Sequence, residues 1–194
     1  MVSPFHSALP AHPLAATGPL ITRVSWKGSI AFVANLEDGL PSEYEACDVL
    51  YTEMAWRAGY DLFADRAGVL DRSFDRYLQA HRDLTDRRFY LVTGPAIAKL
   101  MPPPEMMLEG RVDSGGRDVT HCQVLVYHDR FDESWDGSTT SLIQALARRY
   151  DCVGDPACGY GNTGRLFAAA GKRYVMSDIN AGCITYIAEH GEDW

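Results

Sequence analysis

Two kinds of hydrophobic spacing alternate along this chain, and their order predicts its architecture. Residues 29–34 (Ser29-Ile30-Ala31-Phe32-Val33-Ala34) form a short, nearly continuous apolar run, as a strand buried on both faces does. An acidic loop containing Gly and Pro follows, through Pro41, and residues 47–52 then predict a second strand that leads into Glu53-Met54-Ala55-Trp56. From about Tyr60 to Asp86 the spacing changes to three and four, with Leu70, Phe74, Tyr77 and Leu78 on one stripe, which predicts a helix. Residues 88–92 predict a third strand, ended by Gly94-Pro95, and residues 96–101 a short helix stopped by the prolines at 102–104. Residues 106–112 and 121–127 predict antiparallel partners across the turn region at Gly115-Gly116. Thr139, Thr140 and Ser141 offer N-cap hydroxyls for a helix over 142–150. A strand over 151–155, a glycine loop, a helix over 163–170 closed by Gly171, a strand over 173–177 and a last helix from about Ala181 complete the series.

Strands that alternate with helices and read as buried on both faces predict an α/β fold, a doubly wound, mostly parallel sheet with an antiparallel hairpin at one edge. The first 20 residues carry Pro4, Pro10, Pro13 and Pro19 without any period and read as an N-terminal arm, with residues 21–194 as a single domain.

Bulk properties narrow the function. No apolar run approaches the length of a bilayer span, and no basic-then-apolar leader opens the chain. The five cysteines are odd in number and never spaced C-x-x-C, which argues against a disulfide framework or a zinc ribbon. A reducing, cytoplasmic setting without a metal is therefore expected. A net charge of −8 does not favour unaided binding of nucleic acid, whose phosphates want a basic face. The clusters Arg82, Arg87, Arg88 and Arg148, Arg149 read as solvated helix faces. Nucleic acid stays open as a partner on this reading, as do a protein partner and a second copy of the chain.

The sharpest chemical signal is the glycine loop. Gly159, Gly161 and Gly164 satisfy G-x-G-x-x-G between a strand and a helix, where missing side chains let the backbone approach a ligand at the helix N-terminus. Asp178 follows Gly159 by 19 residues at the end of the next strand, where a carboxylate takes ribose hydroxyls. Together these predict an adenosine-containing cofactor. A dinucleotide fold needs a second mononucleotide half, and only 16 residues follow Asp178. It also leaves Asp155-Pro156 without a role. S-adenosylmethionine gives them one, because an acid at a strand's carboxyl end can meet its ammonium group. Ala157, Cys158, Asn162, Ile179 and Asn180 join the cofactor candidates by position. Cys158 is read as a packing residue, since the sequence places no histidine to activate it.

Asp155-Pro156-Ala157-Cys158-Gly159-Tyr160-Gly161 resembles the D-P-x-x-G-x-G motif of S-adenosylmethionine-dependent amino-methyltransferases acting on DNA adenine or cytosine. The order of elements is similar to their circularly permuted, β-class-like group, in which the catalytic strand comes first and the cofactor motif last. The resemblance implies a Rossmann-like sheet of the class I methyltransferase type, with a catalytic half over 21–135 and a cofactor half over 136–194. It implies that Thr139 and Thr140, on the helix before the motif, touch the cofactor. It places Glu53 as the acceptor for the exocyclic amine of a flipped base, Trp56 as the stacking platform, and Met54 and Tyr60 beside the substrate. Two departures stand out. Met54 and Ala55 replace the prolines that pre-aim a backbone carbonyl in that family, and Glu53 is one methylene longer than aspartate. Nothing between 94 and 138 is long enough for an inserted recognition domain. A non-catalytic scaffold or regulatory subunit that keeps the cofactor is the alternative reading, and an NAD-dependent oxidoreductase the third.

Overall fold

A computed structural model of the protein describes residues 20–35, 41–54, 87–92, 101–113 and 119–194. All but the last residue of the expected arm, the helix over 60–86 and the Gly115-Gly116 turn lie outside the described residues, as does nearly all of the short helix over 96–101. The strands are β1 (Arg23–Trp26), β2 (Ser29–Val33), β3 (Val49–Met54), β4 (Arg88–Val92), β5 (Met106–Asp113), β6 (Val119–Tyr127), β7 (Cys152–Asp155) and β8 (Arg173–Asp178). The α-helices are α1 (Thr139–Arg149), α2 (Asn162–Ala169) and α3 (Ala181–His190), and short 3-10 turns cover Ser42–Ala46 and Gly191–Asp193.

The eight strands among the described residues join one sheet in the order β1-β2-β8-β7-β3-β4-β6-β5. The five from β2 to β4 in that order run parallel. The β5–β6 hairpin is antiparallel and closes one edge, with β6 against β4 and β5 outermost. This is the expected doubly wound sheet. Composition tracks position in it. Every residue of central β4 is buried. Edge strand β5 alternates from Met106 to Glu109, and Met107 points into solvent.

Helices α1, α2 and α3 supply Leu142, Ile143, Leu146, Phe167, Ile184 and Ile187 to the main core, against Val49, Tyr51, Phe89, Val153 and Met176 of the sheet. Phe32, Tyr44, Cys47, Leu50, Cys152 and Val175 make a second cluster on the opposite face. Gly154 is required on that second face: a Cβ there would lie 2.4 Å from Leu50 Cδ2 and 2.7 Å from Tyr44 Cδ1. Among the described residues no helix is long and apolar enough to cross a membrane.

Several boundaries differ from expectation. Strand β1 is not foreshadowed by the spacing; it pairs with β2 across Lys27-Gly28, whose φ values of 47° and 84° fit a tight hairpin turn. Strand β3 starts at Val49, because Asp48 is used otherwise: its Oδ2 accepts from the backbone N–H of Asp151 (3.0 Å) and Cys152 (2.9 Å). Helix α1 starts at Thr139, three residues early, since Ser138 is its N-cap and its Oγ accepts from Ser141 N at 3.2 Å.

The path of the chain fixes where a ligand can sit. From β7 it steps to β8 on one side, and from β3 to β4 on the other, so the winding reverses between neighbours β7 and β3. A crevice opens outside the carboxyl ends of strands at such a reversal. Asp155 ends β7 and Glu53 lies at the end of β3.

Candidate cofactor and acceptor site

The loop after β7 is held by its own backbone and by β8. Cys158 N donates to Ser177 O at 3.0 Å, and Gly161 N to Cys158 O at 2.9 Å. Gly161 caps α2 with φ at 80°, a left-handed conformation that glycine adopts without penalty. A Cβ there would lie 2.6 Å from Trp194 and 3.0 Å from Ile187. Gly159 is different: its φ is 50°, but an added Cβ would meet nothing within 4 Å. Its bare backbone therefore faces open space.

Beside that space stands Asp178. Its Oδ2 accepts from Gly159 N at 2.9 Å and its Oδ1 from Asn180 N at 2.8 Å. One bond to each oxygen leaves further lone pairs for a ligand's hydroxyls. Burial pushes the Asp178 carboxyl above its ordinary range, while the two N–H donors oppose the shift. Ile179 follows, 46% exposed, an apolar side chain left uncovered next to the acid. Two other candidates have structural tasks here: Asn180 Oδ1 caps α3 through Gly182 N at 2.9 Å, and Asn162 Oδ1 accepts from Arg165 at 2.8 Å.

Asp155 is 3% exposed. Its Oδ1 accepts from Ala157 N at 3.3 Å, and the Thr163 hydroxyl also bonds the carboxyl group. Burial nevertheless raises its pKa to about 7, helped by the nearby charges of Glu53 and Asp178. A buried acid so placed is short of a cation. Burial also raises the Cys158 thiol well above its ordinary range, which suits the packing role expected of it.

Glu53 sits one strand away. Its carboxyl is raised by burial, opposed by the Tyr51 hydroxyl, which donates to Oε1 at 3.1 Å. Met54 ends β3, and Trp56 and Tyr60 lie outside the described residues. Thr139 (buried) and Thr140 (exposed) open α1, in a turn tied to the outer strand β5 through Arg111 N to Gly137 O at 2.8 Å. The structure thus brings Asp155, Pro156, Ala157, Gly159, Asp178 and Glu53 to the carboxyl end of the parallel strands, and the Thr139-Thr140 turn lies at the same end, beside the outer strand β5.

Three supporting residues escape a reading of the sequence. The Tyr44 hydroxyl lies 2.7 Å from Ser177 Oγ and 3.2 Å from the Asp155 carbonyl, bracing the loop from behind. Thr163 bonds the Asp155 carboxyl, and Tyr51 bonds Glu53. Thr163 alone carries a local signal, as a hydroxyl residue directly after the motif. The others depend on tertiary contacts.

No family model and no curated protein matches the sequence. Solved structures do. TTHA0409 of Thermus thermophilus, provisionally described as a DNA modification methylase, superposes with a TM-score of 0.56 at 15% identity, covering 82% of this chain and 92% of that one. Its complex with S-adenosylmethionine gives 0.53 at 14% identity. M1.HpyAVI gives 0.52 at 10% identity, over 82% of this chain and 97% of that one, and it too has been solved with S-adenosylmethionine. The chain has the methyltransferase fold. That agrees with the architecture expected from the motif order, and in this fold the site at the β7–β3 reversal lies where open α/β sheets take ligands.

Proposed function

We propose that the protein is an S-adenosylmethionine-dependent methyltransferase acting on the exocyclic amine of a nucleobase in DNA or RNA. The observation that carries the reading is the pair of buried acids, Asp155 and Asp178, on either side of the uncovered Gly159, with Glu53 on the adjoining strand. The residues fit the cofactor part by part. Asp178 has lone pairs left for both ribose hydroxyls, Ile179 offers an apolar surface to the adenine, and Asp155 supplies the counter-charge for the ammonium group. Structural neighbours bound to S-adenosylmethionine support the same cofactor. When bound, it supplies an electrophilic methyl group on sulfur. Glu53 accepts a hydrogen bond from the acceptor amine and aims the nitrogen lone pair, and the family resemblance nominates Trp56, Met54 and Tyr60 for contact with the acceptor.

The charge of −8 shapes the choice of acceptor. Phosphate contacts supply most non-specific affinity for duplex DNA, and a net negative charge opposes them. A protein partner, a second copy or a non-duplex substrate would supply what the chain lacks. All five cysteines are free and buried, which suits a reducing cytoplasmic setting. The second reading, a cofactor-binding scaffold, is favoured by Met54-Ala55 standing where prolines would fix the acceptor loop.

Transfer of labelled methyl groups to single- and double-stranded DNA, RNA and nucleosides separates the two. The enzyme reading expects Glu53→Ala to lower transfer on the order of 100-fold while S-adenosylmethionine affinity stays within about twofold. Absence of transfer from the unmodified protein to every acceptor would favour the scaffold.

A further inference from the structure

Methyl transfer needs the acceptor nitrogen held in line with the methyl group, so the group that accepts its N–H must itself be held still. A glutamate at the end of a strand has three rotatable bonds, and here no proline follows to stiffen the loop. Strand β3 contains another restraint. Tyr51 and Glu53 are two residues apart and share a face of the strand. The Tyr51 ring is fully buried in the main core among the side chains beneath α1 and α2. Its hydroxyl emerges from that core to donate to Glu53 Oε1 at 3.1 Å.

The position of Tyr51 also ties the two parts of the site together. The last β3–β7 pair is Leu50 with Gly154, so Tyr51 and Asp155 are the next residue along on each strand. Burial above all, and then the nearby carboxylates of Glu53 and Asp155 and the Cys122 thiol, act to keep the phenol protonated. The phenol is therefore a fixed donor. It has one hydrogen and can engage one carboxylate oxygen.

We propose that Tyr51 is the positioning residue for Glu53, pinning Oε1 through its hydroxyl and leaving Oε2 to accept the N–H of the substrate amine. The role rests on the methyltransferase reading. It accounts for a longer acid in a loop without prolines: the extra methylene lets the carboxyl group reach a core-anchored phenol, which replaces backbone stiffness with a side-chain tether.

Tyr51→Phe tests it, since the ring and its packing remain and the hydroxyl alone is lost. The variant is expected to keep its fold by circular dichroism and to bind S-adenosylmethionine within about twofold of the unmodified protein. Its kcat should fall about tenfold to a hundredfold with the acceptor KM little changed. In protein carrying carbon-13 at the glutamate carboxyls, the Glu53 resonance should titrate at higher pH in the variant, because a hydrogen bond to the charged form is gone. Unchanged kcat, or a Glu53 titration that does not move, overturns the positioning role alone. If the unmodified protein transfers methyl groups to no acceptor, the methyltransferase reading falls and the positioning role falls with it.

Discussion

Gly159→Ala is expected to leave the protein folded and to remove most of its affinity for S-adenosylmethionine, whereas Gly161→Ala is expected to damage the fold itself. The two glycines are two residues apart and both left-handed, at φ 50° and 80°. Alanine in that region costs about 1–2 kcal/mol at either position. The surroundings then decide. At 159 the new methyl group meets nothing within 4 Å and projects into the space left for the ligand. One misplaced methyl group in a tight pocket changes affinity roughly 10- to 200-fold. At 161 it lies 2.6 Å from the Trp194 ring and 3.0 Å from Ile187, adding overpacking of about 1–3 kcal/mol to the strain. For a chain of this size that lowers Tm by roughly 5–15 °C. Thermal melts and ligand titrations of both variants should therefore give opposite patterns. Equal loss of stability in the two would show that the space beside Gly159 is not open.

The contrast also shows how far the sequence was legible. The cofactor half could be read because its signals are local. A strand, a loop with glycines at fixed offsets, a helix and an acid lie within 27 consecutive residues, 152–178, and each constrains the next. The order of elements, with the motif late in the chain, was enough to anticipate the sheet. The acceptor side was less accessible. Glu53 could be picked out at a strand end, but the Tyr51 hydroxyl that holds it became visible only once side chains two apart were on one buried face. Tyr44 sits in an acidic turn with no motif of its own, yet its hydroxyl is hydrogen-bonded to Ser177, 133 residues later. Strand β1 is not legible in the spacing because Arg23-Val24-Ser25-Trp26 is short and half polar, as suits an outer strand. Ser138 does not stand out as the cap because three hydroxyl residues follow it, and capping depends on backbone angles that spacing does not reveal.

The second large effect is a pH dependence of cofactor affinity set by Asp155. Its pKa is raised by burial from 3.8 to about 7, so in the absence of ligand the neutral acid is the favoured form over most of the acid range. A raised carboxyl pKa stabilises the folded protein fully below the unfolded value. That contribution is lost as pH rises from about 4 through about 7. Above 7 the ligand-free protein carries a buried, underpaired carboxylate, which an ammonium group would neutralise. Binding therefore favours the ionised form, and affinity should rise about fivefold from pH 6 to 7.5. It should fall again beyond pH 8, where an α-amino group, with a pKa of about 7.7–8, loses its proton. Asp155→Asn should bind more weakly and lose the acidic limb of the profile while keeping the alkaline one. Calorimetry across this range in both proteins checks the sign. Affinity that declines steadily from pH 6 would mean that Asp155 does not meet a cation.

Residues 155–161 and Asp178 carry the central claim, that the chain forms a site for one particular cofactor. The most direct measurement is a calorimetric titration of the unmodified protein with S-adenosylmethionine at pH 7.5, alongside NAD and the Asp178→Ala variant. The expected result is saturable one-to-one binding of S-adenosylmethionine, no comparable heat with NAD, and at least a tenfold loss of affinity when the Asp178 carboxylate is removed. A correctly folded protein that binds no S-adenosylmethionine, or binds NAD in its place, would contradict it.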